Sequence, residues 1–114
     1  MTSIFKVCGT AEWAAAKEQG FHAGSADDRR DGFIHFSTLT QLAETLAKHF
    51  PGRDDLVLVA VQAEALGDAL KWEPSRDGAL FPHLYAALPV TAALWVRPLL
   101  RDGSSYHLPP EAGT

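Results

Sequence analysis

Five side chains in this 114-residue chain are of types that carry acid–base, electrostatic and hydrogen-bonding chemistry: His35, Ser37, Glu73, His83 and Tyr85. Each stands in a short string that alternates polar with apolar residues. In Phe33-Ile34-His35-Phe36-Ser37 the strand period of two puts His35 and Ser37 on one side, with Ile34 and Phe36 on the other. The same arithmetic separates Lys71 and Glu73 from Leu70 and Trp72, and His83 and Tyr85 from Leu84 and Ala86. If the apolar partners enter a core, the polar partners share the opposite face. There a carboxylate, two imidazoles, a hydroxyl and a phenol line one cleft, the arrangement of a small-molecule site. Glu73 lies between Trp72 and Pro74, where a strand ends, and belongs to no run of surface charge.

Several neighbours join this group. Gln41 and Thr45 follow Ser37 at four-residue intervals along one polar flank of a helix. Arg76, three residues beyond Glu73, is the preferred contact for a phosphate, which a guanidinium holds bidentately. Asp28, Arg29, Arg30 and Asp31 are expected in loops beside the cleft as solvated charge, and His22, His49 and His107 on the surface. Plainer roles stay open. His35 can be a hydrogen-bonded core histidine, Glu73 an exposed strand-end charge, Gln41 and Thr45 a solvated flank, and Tyr85 a packed ring with one hydrogen bond. A metal held by His35, His83 and Glu73 is a minor alternative, because no close-spaced ligand motif accompanies them, and no metal is assigned.

The elements that must position these residues are short. Ile4 to Cys8 reads as a strand, and Thr10 as the N-cap of a helix from Ala11 to Gln19 that Gly20 ends in the left-handed conformation. Trp13 and Ala16 give that helix its core face. Leu39, Leu42, Ala43, Leu46, Ala47 and Phe50 form a helical apolar stripe that Pro51-Gly52 terminates. Leu56 to Val61 is continuously apolar, which suits a central strand covered on both faces. Trp95 to Leu100 is a further strand, placed at an edge or a bulge by Pro98. Short strands are expected around Phe33–Ser37, Leu70–Glu73 and His83–Ala86, and an irregular tail from Asp102 to Thr114. The order predicts one α+β domain over residues 1–114, with two main helices and a bent or split, mainly antiparallel sheet.

Composition sets the outer bounds. At 46% hydrophobic and 21% charged residues the chain is of ordinary globular composition, without repeat or low-complexity tract. A formal charge of −4 supplies no cationic field for a nucleic-acid backbone, so nucleic-acid binding is not expected. The sequence shows no basic-then-apolar leader and no apolar run of the roughly 20 residues that a bilayer requires, which leads to the expectation of a cytoplasmic protein without membrane contact. Cys8, the one cysteine, falls in an apolar strand and reads as a packed, inert thiol.

Particular strings also carry a resemblance. Ala11-Glu12-Trp13, Asp28, Asp31-Gly32-Phe33-Ile34-His35-Phe36-Ser37-Thr38, Gln41, Trp72-Glu73-Pro74-Ser75-Arg76 and Phe81-Pro82-His83-Leu84-Tyr85 resemble the bacterial domain-of-unknown-function family 952 over nearly the whole chain. That family in turn resembles the ADP-ribosyltransferase-like fold, a split β-sheet whose cleft holds NAD. The resemblance implies NAD as a substrate, ADP-ribosyl transfer or NAD glycohydrolysis as the activity, and Glu73 as the carboxylate that stabilises an oxocarbenium-like transition state. It further implies that His35, Ser37 and the following helix frame the ribose and nicotinamide. The first strand departs from the pattern, with only Lys6 where such transferases carry a histidine or arginine that orients NAD, so that either His83 substitutes from another strand or catalysis has been lost. Noncatalytic binding of a nucleotide or other small metabolite through the same side chains is the alternative, and an interaction module without a ligand is a third possibility.

Overall fold

The structure is a computed structural model that describes residues 1–113, apart from the side chain of Arg76. Its strongest sequence feature is also its central element: β4 (Leu56–Gln62) pairs antiparallel with β1 (Ser3–Gly9) on one side and β8 (Ala93–Pro98) on the other. Alternation then divides the core in two. Ile4, Cys8, Val59 and Val61 face a cluster with Trp13, Ile34, Phe36, Leu84 and Leu88, while Phe5, Val7, Leu56, Leu58 and Ala60 face one with Leu42, Leu46 and Leu99. Burial on both faces is why β4 needs an unbroken apolar run. Pro98 falls on the edge strand, where its missing N–H is tolerated, and the β4–β8 register shifts between Ala60 and Val61.

A second antiparallel sheet has the order β3 (Ile34–His35), β6 (Leu80–Leu84), β5 (Leu70–Pro74), so the three polar strings lie side by side. Two strand pairs complete the β-structure. They are β2 (Phe21–His22) with β7 (Leu88–Pro89), and β9 (Leu100–Asp102) with β10 (Ser105–His107). All of the pairings are antiparallel, on an α+β scaffold.

Helix α1 (Thr10–Gln19) begins one residue before the expected start. Its N-cap is Gly9, whose N–H donates to the Glu12 carboxylate at 2.8 Å, and Thr10 instead ties the helix start to the Asp55 carbonyl through its own N–H and hydroxyl. Gly20 ends the helix at φ 91°. The later helix splits into a 3-10 turn over Leu39–Gln41 and α3 (Leu42–His49), whose buried stripe narrows to Leu42 and Leu46, with Ala43 and Ala47 exposed.

Two expectations fail. Asp28, Arg29, Arg30 and Asp31 are helical, in α2 (Ala26–Asp31). Six residues cannot show an apolar period; this helix is made by its ends, with a Ser25–Asp28 capping box and Gly32 at φ 88°. The tail is not irregular either. A two-residue turn with Gly103 at φ 64° joins β9 to β10, and the Tyr106 hydroxyl anchors the hairpin, lying 2.6 Å from the Phe50 carbonyl oxygen and 2.8 Å from that of Arg53.

Candidate functional site

The two three-stranded sheets are bridged at one residue pair, where Phe5 and Ser37 exchange backbone hydrogen bonds of 2.8 and 2.9 Å. A cleft of about 310 Å³ opens beside that junction. Its lining includes Lys6 from β1, Asp28 and Asp31 from α2, Ser37, His35 and His83. Two distant segments therefore converge on the cleft, bringing His35 and Ser37 together with His83 as the alternation predicts, while Glu73 of the third lies outside the lining.

One wall is an ion-pair cluster. Lys6 stands between Ile4 and Cys8 on the face that is otherwise apolar, 4% exposed, and its Nζ donates to Asp28 Oδ2 at 2.7 Å. Asp28 is 2% exposed and fully engaged: Oδ2 also accepts the Ser25 N–H (2.8 Å), while Oδ1 accepts the His35 N–H (3.1 Å) and faces His35 Nδ1 at 2.7 Å. Burial pushes the Asp28 carboxyl up, but His35, Lys6 and Ser25 outweigh it and hold the group well below the usual carboxylate range. The second His35 nitrogen, Nε2, faces Asp31 Oδ2 at 3.0 Å, and the Arg30 hydrogen bond holds Asp31 low. Lys6 has three donors and uses one on Asp28; the other two have no acceptor among the described residues.

The other wall is aromatic and ends at a carboxylate. The His83 ring stacks on Phe33 with centroids 4.0 Å apart and meets His35 edge-on at 5.5 Å. Its Nδ1 lies 2.8 Å from Glu73 Oε1, which also accepts the Tyr85 hydroxyl at 2.7 Å. Tyr85 and then His83 hold the Glu73 carboxyl below its ordinary value, and the same bond raises the Tyr85 hydroxyl. Glu73 Oε2 has no hydrogen-bond partner among the described residues. Glu73 and Tyr85 stand at the rim, outside the residues that line the cleft.

The remaining predicted residues divide. Thr45 does reach the site, its hydroxyl 2.9 Å from that of Ser37, and both line the cleft. Gln41 does not; its side chain accepts the Thr38 N–H and donates to the Leu80 carbonyl, so it braces the start of α3 against β6. The Arg76 side chain, the expected phosphate contact, lies outside the described residues. No group of three or more His, Cys, Asp or Glu side chains is arranged to hold a metal among the described residues. Both His35 nitrogens and His83 Nδ1 face the carboxylates of Asp28, Asp31 and Glu73. Sequence reasoning missed Asp28, expected as solvated loop charge; the Ser25-x-x-Asp28 spacing ahead of Gly32 was the available signal. Cys8 matches its reading: it is sealed in the core, and burial pushes its thiol up to about 12.

His22 is a further correction. Expected on the surface, it is buried beside Trp13, and its Nε2 has no hydrogen-bond partner among the described residues. Burial, together with Lys6, lowers its proton affinity. The unfolded chain thus binds a proton near pH 6.5 that the folded chain resists, and stability falls as pH drops below about 6.5. Urea unfolding from pH 7 to 5 should show a declining midpoint, and His22→Leu should flatten that slope; an unchanged slope contradicts the assignment.

Relatives reinforce the fold. The crystal structure of protein CC0527 from Caulobacter crescentus superimposes with a TM-score of 0.94 at 48% identity, covering 99% of this chain and 100% of that one. The solution NMR structure of CC0527 gives 0.82 at 52% identity, covering 93% and 91%. No curated protein matches the sequence. The family model described as "protein of unknown function (DUF952)" matches residues 7–96, which contain every residue of the cleft described above except Phe5 and Lys6, and the chain belongs to that family.

Proposed function

We propose that the cleft binds NAD by its nicotinamide-ribose end and cleaves the nicotinamide–ribose bond. The observation that carries this reading is the cleft beside the Phe5–Ser37 bridge between two sheets, with the Lys6 ammonium buried in its lining and two of its donors unspent among the described residues. A buried cation with spare donors suits the oxygen-rich, anionic character of a nucleotide. On the rim, Glu73 offers an ionised carboxylate whose Oε2 is free for a ribose hydroxyl and for the positive charge that grows on the ribose as nicotinamide leaves. Lys6 then fills the first-strand place that a histidine or arginine holds in the transferases this family resembles, and Ser37 and His35 frame the sugar.

One observation favours a second, noncatalytic reading: Glu73 is engaged by His83 and Tyr85 and stands outside the cleft lining. Two measurements separate the readings. NAD at about 100 times its dissociation constant should raise stability by about 2.7 kcal/mol in a thermal-shift titration under either one. Nicotinamide release above the buffer rate supports cleavage, a shift without release supports the binding module, and neither with any nucleotide contradicts both.

A further inference from the structure

We infer that His83 Nε2 is the base of the cleft, held in that role by Glu73 and Phe33, and that it takes the proton of the water that attacks the ribose. This rests on the cleavage reading above. An ionised carboxylate only accepts hydrogen bonds, so the 2.8 Å contact between Glu73 Oε1 and His83 Nδ1 puts the ring hydrogen on Nδ1 and the lone pair of the neutral ring on Nε2.

That lone pair is available. His83 Nε2 makes no hydrogen bond among the described residues, and the one sealed, unpartnered side-chain polar atom among them belongs to His22, so His83 Nε2 keeps solvent contact on a residue that lines the cleft. His35 cannot serve in the same way, because both of its nitrogens face carboxylates. His22 cannot either, because its Nε2 is shut in. The His83 ring is also fixed in direction, stacked on Phe33 at 20° between planes and tied at Nδ1, with its side chain only 7% exposed. A base with one bound nitrogen and one free nitrogen in a locked plane is the arrangement that proton abstraction requires.

The step balances without any further reagent. A water oxygen bonds to the ribose anomeric carbon as the carbon–nitrogen bond breaks, and its electron pair leaves with nicotinamide as the neutral base. One water proton passes to His83 Nε2, the Glu73 carboxylate stabilises the imidazolium, and the proton then goes to solvent. The products are ADP-ribose, nicotinamide and one proton.

Two measurements test this together. Nitrogen-15 spectra of the wild-type histidines should show His83 as the Nδ1–H tautomer. His83→Gln should lower nicotinamide release from NAD about 100-fold, the lower end of what a positioned base contributes, while NAD still raises its melting temperature. His83→Asn, with amide spectra for both variants, guards against loss of fold. An Nε2–H tautomer, or release unchanged in a folded variant, overturns the role of His83 while leaving NAD cleavage standing. An Nδ1–H tautomer in a wild type that releases no nicotinamide overturns the cleavage reading instead, and the water step with it.

Discussion

Replacing Asp28 with alanine is expected to destabilise the protein by about 3–5 kcal/mol, the range for removing one partner of a buried ion pair. The magnitude follows from what is left behind. Lys6 stays 4% exposed on an apolar strand face with no counter-charge, and the Ser25 and His35 N–H groups lose their acceptor. Urea unfolding monitored by circular dichroism would measure the change, and Asp31→Asn, at the solvent-facing end of the same cluster, should barely move the midpoint. Acid dependence gives a second readout. Because the Asp28 carboxyl is held far below its unfolded value, its contribution is complete above about pH 4 and fades as pH falls below that, the unfolded chain taking up a proton that the folded chain refuses. Asp28→Asn should therefore show a flatter stability profile below pH 4 than wild type. Parallel profiles, or a loss of less than about 1 kcal/mol on Asp28→Ala, contradict the pair's structural weight.

The second large effect is on chemistry. Glu73→Gln should lower nicotinamide release about 10²–10³-fold, the typical loss when one transition-state stabilising group is removed. Glutamine keeps an acceptor for the Tyr85 hydroxyl and for His83 Nδ1, so the substitution removes mainly charge at the rim and leaves the local geometry in place. The expected signature is a fall in kcat with little change in KM, because the charge it answers develops only as the bond breaks. Equal release by the two proteins would remove Glu73 from the reaction.

The site's legibility in the sequence was uneven, for reasons visible in particular residues. A strand's period of two is local, so Phe33-Ile34-His35-Phe36-Ser37 announces which side chains share a face, and the structure does bring His35, Ser37 and His83 to one cleft. Burial of Asp28 is not local. It depends on Lys6, 22 residues earlier on another element, and neither residue carries a mark of the other in its own neighbourhood. Helix α2 escapes a periodicity reading because it has no apolar stripe and is defined by Ser25, Asp28 and Gly32 at its ends. Gln41 shows the converse error. Ser37 lies outside the helix and Gln41 closes a 3-10 turn, so a four-residue interval between them defines no shared helical flank, and Thr38 and Leu80 take its amide. The β9–β10 hairpin was signalled by Gly103-Ser104, a recognised two-residue turn pair that the polar composition of the tail concealed.

The most direct test of the account is a titration of the nitrogen-15-labelled 12.3 kDa protein with NAD, followed by amide chemical shifts. The account predicts saturable changes concentrated at Lys6, His35, Ser37, Glu73 and His83, on the walls and rim of the cleft. An unperturbed spectrum at millimolar NAD, or changes confined to the separate pocket lined by Glu12 and His22, would contradict it.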